Sequence, residues 1–231
     1  MKVAVLSDIH GNYSAFKQVL KKIEHEKVKH ILILGDIVGY YYSPQKILES
    51  LSDWKYDMIK GNHEDILGNL ISNPILHDSI RSKYGSGHQH AIKKLDKKTI
   101  ISLINLPSKK TVIIDGISFG LNHGTPWDSN EYLYPDADVK KINRCDSIDH
   151  DFVLIGHTHY SFTHQCENSI LINPGSVGQS REKGGYAYWA IINTEDKSYH
   201  IKKTKYNTTS LVEEINKFDP DINYNLKILT R

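Results

Sequence analysis

Cysteine is scarce: the chain of 231 residues has two, Cys145 and Cys166, far apart and in no CxxC pairing. That excludes a disulfide framework and a thiolate zinc knuckle, and both read as ordinary buried thiols. Long apolar runs are missing as well. The N-terminus reaches Asp8 before a stretch of signal-peptide length builds up, and no run approaches the roughly 20 apolar residues of a membrane span. The expected location is cytoplasmic, with no membrane partner. Charge of one sign is not in excess, with 29 Lys and Arg against 27 Asp and Glu, so there is no strong nucleic-acid signal. Repeats, low-complexity tracts and linkers rich in Gly, Ser or Pro are also absent. The chain therefore reads as one domain over residues 1–231, with a motif-bearing core over about 1–193 and a strand/helix extension over about 194–231.

What is present is an alternation of buried strands and amphipathic helices. Val3 to Leu6, Ile31 to Leu34 and Met58-Ile59 are short apolar runs, separated by helical spacing at Tyr13, Phe16, Val19, Leu20 and Ile23 and again at Ile47, Leu48 and Leu51. This pattern predicts an α/β fold with crossover helices. A long helix is expected from His88 to Leu103, stopping before Pro107. Thr111 to Ile114 and Ile117 to Leu121 flank Asp115-Gly116, a hairpin signal, and further strands are expected at Phe152 to Ile155, Ile170 to Ile172 and Tyr186 to Ile192. The Tyr40-Tyr41-Tyr42 patch and the last dozen residues read as surface and edge packing.

Polar residues gather where these strands end: Asp8 and His10 after the first, Asp36 after the second, Asn62-His63-Glu64 after the third, then His123, and then His157 and His159. The carboxyl ends of parallel strands share one edge of a sheet, so these turns are expected to converge. Carboxylates, a carboxamide and imidazoles gathered in a cleft cost several kcal/mol in desolvation if unpaired, and a pair of divalent cations removes that penalty. In extended backbone, residues two apart point to the same side, which lets Asp-x-His and His-x-His each reach one cluster. Imidazole with carboxylate suits Mn, Fe, Zn or Ni rather than calcium. The other eight histidines, His25, His30, His77, His88, His90, His150, His164 and His200, read as surface or capping residues.

The ordered series Asp-x-His, Gly-Asp, Gly-Asn-His-Glu, Asn-His-Gly and Gly-His-x-His resembles the calcineurin-like metallophosphoesterase superfamily. Ser7-Asp8-Ile9-His10-Gly11-Asn12 and Asn173-Pro174-Gly175-Ser176-Val177-Gly178-Gln179 are similar to its small bacterial and archaeal phosphodiesterases. The resemblance implies a four-layer α/β/β/α sandwich of two mixed sheets, with two divalent metal ions at one end of them. One metal would take Asp8, His10, Asp36 and His159, and the other Asp36, Asn62, His123 and His157, with Asp36 bridging. Mn2+ is the first expectation, followed by Ni2+, Fe, Zn2+ or Co2+.

Two such ions lower the pKa of a bridging water and clamp phosphoryl oxygens, so no protein nucleophile is required. His63 stands next to Asn62 and is expected to serve the leaving-group oxygen. Glu64 either holds it or is a first-turn helix acid. Gly175, Ser176 and Arg181 are candidate phosphate contacts, and Asn12 is either a substrate contact or a turn residue. The expected partner is a small organic or nucleotide-like phosphodiester, and a homo-oligomer is left open. The serine/threonine phosphatases of the superfamily have an arginine after Gly-Asp. Here Ile37-Val38-Gly39-Tyr40 follows, which speaks against a protein phosphatase, while a Tyr40 or Tyr41 ring beside the site would suit an aromatic leaving group. The alternatives are a phosphomonoesterase or protein phosphatase of the same superfamily and a catalytically silent scaffold.

Overall fold

In the computed structural model, which describes residues 1–231, Val3 and Val5 point to one side of the first strand and Ala4 and Leu6 to the other. This alternation organises the molecule. Strands β1 (Lys2–Leu6), β2 (His30–Ile33) and β3 (Tyr56–Met58) run parallel, joined by helices α1 (Tyr13–His25) and α2 (Pro44–Leu51). Strand β9 (Tyr186–Asn193) lies antiparallel beside β1, and β10 (Tyr199–Lys205) closes a five-stranded sheet in the order β10-β9-β1-β2-β3. A second five-stranded sheet holds β4 (Lys109–Ile114), β5 (Ile117–Asn122), β6 (Phe152–Leu154), β7 (Ser161–Gln165) and β8 (Ile170–Pro174) in the order β4-β5-β6-β8-β7.

Val3, Val5, Leu32 and Leu34 meet Phe119, Leu121, Phe152 and Leu154 in the layer between the sheets. On the outer face of the first sheet, Ala4, Leu6, Ile31 and Ile33 pack under Phe16, Val19 and Ile23 of α1. On the outer face of the second, Val153, Ile155 and Leu171 pack with Ile142 of α7 (Val139–Asn143) and with both cysteines, which are buried free thiols. Two mixed sheets flanked by helices are therefore what the motifs implied. No helix is long and apolar enough to cross a membrane.

The structure departs from the sequence expectations at identifiable places. The helix expected from His88 to Leu103 is two: α5 (Gly87–Lys94) and α6 (Lys97–Ile104). Leu95 is extended, and the Asp96 carboxylate accepts from Thr99 N at 2.7 Å to start the second. Between β3 and that pair lie α3 (Asn62–Ser72) and α4 (His77–Tyr84). Tyr40, Tyr41 and Tyr42 are buried rather than at an edge, and the Tyr42 hydroxyl donates to Asp219 at 2.8 Å. The last dozen residues are not merely surface: α8 (Thr209–Phe218) is followed by α9 (Asn223–Leu229), which buries Asn225, Ile228 and Leu229. His30 and His88 are buried too, His30 because its ring pairs with Asp57 at 2.7 Å.

Asp146, just beyond α7, holds the turn between β7 and β8 by accepting from Asn168 and Ser169, backbone and side chain alike. Burial pushes its carboxyl up, but these hydrogen bonds outweigh it and bring it down to about 2. Since the unfolded value is about 3.9, its contribution is complete above that pH and is lost as pH falls through the folded value. Asp146→Ala should cost about 1–3 kcal/mol at neutral pH in denaturant unfolding, with a deficit that shrinks toward pH 2. A deficit independent of pH would contradict this.

Candidate metal centre

Each candidate residue follows the carboxyl end of a strand: Asp8 and His10 after β1, Asp36 after β2, Asn62 after β3, His123 after β5, and His157 and His159 after β6. The backbone there is not extended, as the two-residue spacing had suggested. Asp8, His10, Asp36, His157 and His159 have φ of 53, 51, 56, 66 and 62°, and they are five of the nine non-glycine residues with positive φ in the chain. Left-handed backbone costs such residues of order 1–3 kcal/mol each and persists only where the surroundings impose it. Here the turns brace one another, with His10 N donating to Asp36 O and Gly11 N to Ile37 O, both at 2.8 Å.

Glu64 completes the brace. Its carboxylate accepts from Asp36 N, Ile37 N and Gly61 N at 2.8 Å and from Val38 N at 3.2 Å, which is both the helix first-turn role and a clamp on the turn carrying Asp36. It makes no bond to the His63 ring, so holding His63 is not its task. A Cβ at Gly61 would stand 2.2 Å from Asp36 Oδ1, so only glycine admits this approach.

The tautomers follow from the backbone. Nδ1 of His10, His159 and His123 faces the carbonyls of Val38, Gln179 and Leu34 at 3.0, 2.7 and 2.7 Å, and Nε2 of His157 faces the Asn130 carbonyl at 3.2 Å. A carbonyl only accepts, so each of these nitrogens carries the proton and the other one presents a lone pair. The lone pairs meet: His10 Nε2 is 3.2 Å from His159 Nε2, and His123 Nε2 is 3.1 Å from both His157 Nδ1 and Asn62 Oδ1. Asp8 Oδ1, buried and without a hydrogen-bond partner, stands 3.3 Å from His159 Nε2, and Asp36 Oδ2 lies 3.7 Å from His10 and 3.3 Å from His123. Acceptors facing acceptors at hydrogen-bond distance repel unless a cation lies between them, so the donor set fits divalent metal. Three sets of side chains here, Asp8/His10/His159, His10/Asp36/His63 and Asp36/His123/His157, have ligand atoms within 4.8 Å of one another.

The electrostatics agree. Burial works to raise Asp8 and Asp36, yet His159 beside the first and His123 beside the second hold both carboxyls well below their usual range. Burial drives His10 and His157 down to about 4. It acts on His123 in the same sense, but Asp36 overrides it and pushes that imidazole up to about 10, a demand for positive charge at Nε2 that a bound cation would meet in place of a proton.

His63 lies over the cluster, with its backbone N–H on Asp36 Oδ1 at 2.9 Å and its ring 4.7 Å from that of His10. Burial holds its pKa well below the usual value and leaves it neutral. Its ring stacks on His88 at 5.0 Å and 8°, and a Cβ at Gly39 would stand 2.1 Å from its Nδ1. Arg181 is half-buried, with its Nε unpartnered.

Three expected substrate contacts are occupied elsewhere. Asn12 caps α1 through Ala15 N at 3.0 Å and donates to Gly178 O and the Tyr206 hydroxyl, which is the turn alternative. Gly175 N donates to Asn173 Oδ1, and Ser176 Oγ donates to Asp8 O at 2.7 Å while accepting from Gln179 N. That turn braces Asp8 rather than cradling an anion. Tyr40 packs edge-on against His10 at 4.7 Å, whereas Tyr41 is in the interior. The sequence reading missed His88 and Tyr132, whose ring stacks on His157 at 3.9 Å. The available signal was Tyr132 and Tyr134 flanking the apolar Leu133 in an otherwise polar loop.

The family model described as the calcineurin-like phosphoesterase superfamily domain matches residues 1–197. The chain belongs to that superfamily. An uncharacterized protein of Methanocaldococcus jannaschii is 30% identical over 92% of this chain and 91% of its own. Phosphodiesterase YfcE of Escherichia coli is 24% identical over 80% and 83%. In three dimensions, a metallophosphoesterase from Sphaerobacter thermophilus matches with a TM-score of 0.79 and 22% identity, covering 100% of both chains. As a superfamily member the protein is a phosphoester hydrolase, and its Asp/His clusters suit divalent metal.

Glu64→Gln tests the clamp, because either orientation of the amide points an NH2 at two backbone N–H groups. It should cost about 3 kcal/mol in thermal or denaturant unfolding and weaken Mn2+ binding in calorimetry. A variant that melts and binds Mn2+ as the parent does would remove Glu64 from the account.

Proposed function

We propose that this chain is a phosphodiesterase that hydrolyses small organic or nucleotide-like phosphodiesters at a centre of two divalent cations, Mn2+ foremost. The observation that carries the reading is the convergence of seven side chains whose ligating atoms face one another in one buried cleft. In this reading Asp8, His10, Asp36 and His159 hold one ion, and Asp36, Asn62, His123 and His157 hold the other. The Asp36 carboxylate, with Oδ2 at 3.7 and 3.3 Å from an imidazole of each set, would be shared by both. Divalent cations held there supply positive charge for phosphoryl oxygens and an acidified water.

The chain's own groups do the rest. Arg181, a guanidinium without a carboxylate partner beside the cleft, grips a phosphoryl oxygen. His63 is neutral and keeps one ring N–H, which hydrogen-bonds the oxygen that departs as the P–O bond breaks and steadies its developing charge. Exclusion of bulk water by the buried turns strengthens both contacts. The missing arginine after Gly35-Asp36 supports a diester over a phosphoprotein, as does the likeness to the phosphodiesterase YfcE. Every ligand position holds a competent donor, which speaks against a silent scaffold.

Protein reconstituted with Mn2+, Ni2+, Co2+, Zn2+ or Mg2+ should turn over a chromogenic diester with Mn2+ or Ni2+. Asp36→Ala should fall to background, and His63→Ala should lose about 100-fold or more in kcat. A fully active Asp36→Ala enzyme refutes the bridging assignment. Brisk monoester cleavage without diester turnover makes the protein a phosphatase instead.

A further inference from the structure

Aromatic rings wall the metal centre at both ends. At one, Tyr132 lies face to face on His157, and Tyr134 continues almost parallel to it, 5.8 Å away at 9°. At the other, Tyr40 packs on His10, with Tyr84 and Tyr224 against Tyr40 at 5.5 and 6.4 Å. Tyr132, Tyr134 and Tyr224 keep 41, 37 and 39% of their surface exposed. Exposed rings are ordinary singly, but three around one cleft are a surface for a ligand.

Arg181 shares that surface: Tyr40, Tyr132, Tyr134 and Tyr224 all stand within electrostatic range of its guanidinium. Its one side-chain hydrogen bond, from Nη1 to Thr158 O, is long at 3.5 Å, and its buried Nε has no partner. Tyr224 lies outside the 1–197 stretch that matches the superfamily. It arrives on α9, whose end is fastened to the Arg181 segment by Arg231 Nη1 donating to Arg181 O at 2.9 Å. The chain beyond the matched stretch therefore completes the wall.

We propose that these tyrosines form a slot for a phosphoester whose alcohol carries a flat aromatic group, with Arg181 on the phosphate. The slot rests on the phosphoesterase reading and adds the substrate class to it. A planar ring stacks on tyrosine faces with a gain worth about tenfold or more in affinity, whereas a sugar or alkyl alcohol has no such face. Hydrolysis places the water oxygen on phosphorus, breaks the bond to the aromatic alcohol and returns a proton to that oxygen.

Calorimetry on the Mn2+-loaded protein with adenosine 5′-monophosphate, phenyl phosphate, ribose 5-phosphate and inorganic phosphate tests this. At least one of the two aromatic esters should bind about tenfold or more tighter than ribose 5-phosphate. The tighter of the two identifies a nucleoside or a simple aryl group. Tyr134→Ala and Tyr224→Ala should each shrink the gap severalfold, while Tyr224→Phe keeps it. Equal affinity for ribose 5-phosphate and both aromatic esters overturns the slot, as does a gap unchanged in both alanine variants. Failure of all three esters and of inorganic phosphate to bind is a different result and overturns the proposed phosphoester-binding two-cation centre rather than the slot alone.

Discussion

Lone pairs turned toward one another are the constraint on which this molecule depends. Four imidazoles spend their outer N–H groups on backbone carbonyls and so face each other with acceptors, 3.1 to 3.2 Å apart, with Asp8, Asp36 and Asn62 completing the ring. In a buried cleft of low dielectric such an arrangement is repulsive without a cation. The carbonyl partners fix each tautomer, as the outer hydrogen bonds of metal-bound histidine do.

Holding that arrangement takes most of the fold. Five of the ligand positions have left-handed backbone, and their strain is offset by turns that hydrogen-bond to one another, by the Glu64 clamp and by the Ser176 hydroxyl on Asp8 O. The two sheets supply the platform. Because Val3 and Val5 face one layer and Ala4 and Leu6 the other, β1 is locked between both cores, and the turn that follows it has little room to shift. Precision of this kind lets side chains from five strands act together.

Much of this was legible beforehand. The apolar runs of β1, β2, β6 and β9 are continuous because both faces are buried, and polar residues at the carboxyl ends of the parallel strands pointed to one shared edge. The unread strand β7 is an edge strand with no buried residue, so no apolar run marked it. The break between α5 and α6 was masked by apolar spacing that continues across Asp96. Tyr40 to Tyr42 failed for another reason: aromatic residues carry no label for the layer they enter, and only packing put them inside. Asn12, Gly175 and Ser176 looked like phosphate contacts because turn residues that brace a site share its polar chemistry. Local sequence shows that a group can donate, but the structure alone shows where the donation goes.

The most direct measurement is anomalous scattering at the Mn absorption edge from crystals of the Mn2+-loaded protein. The expected result is a pair of peaks, one beside Asp8, His10 and His159, the other beside Asn62, His123 and His157, with the Asp36 carboxylate between them. A map without peaks at these side chains after soaking, supported by elemental analysis that finds no bound metal, would contradict it.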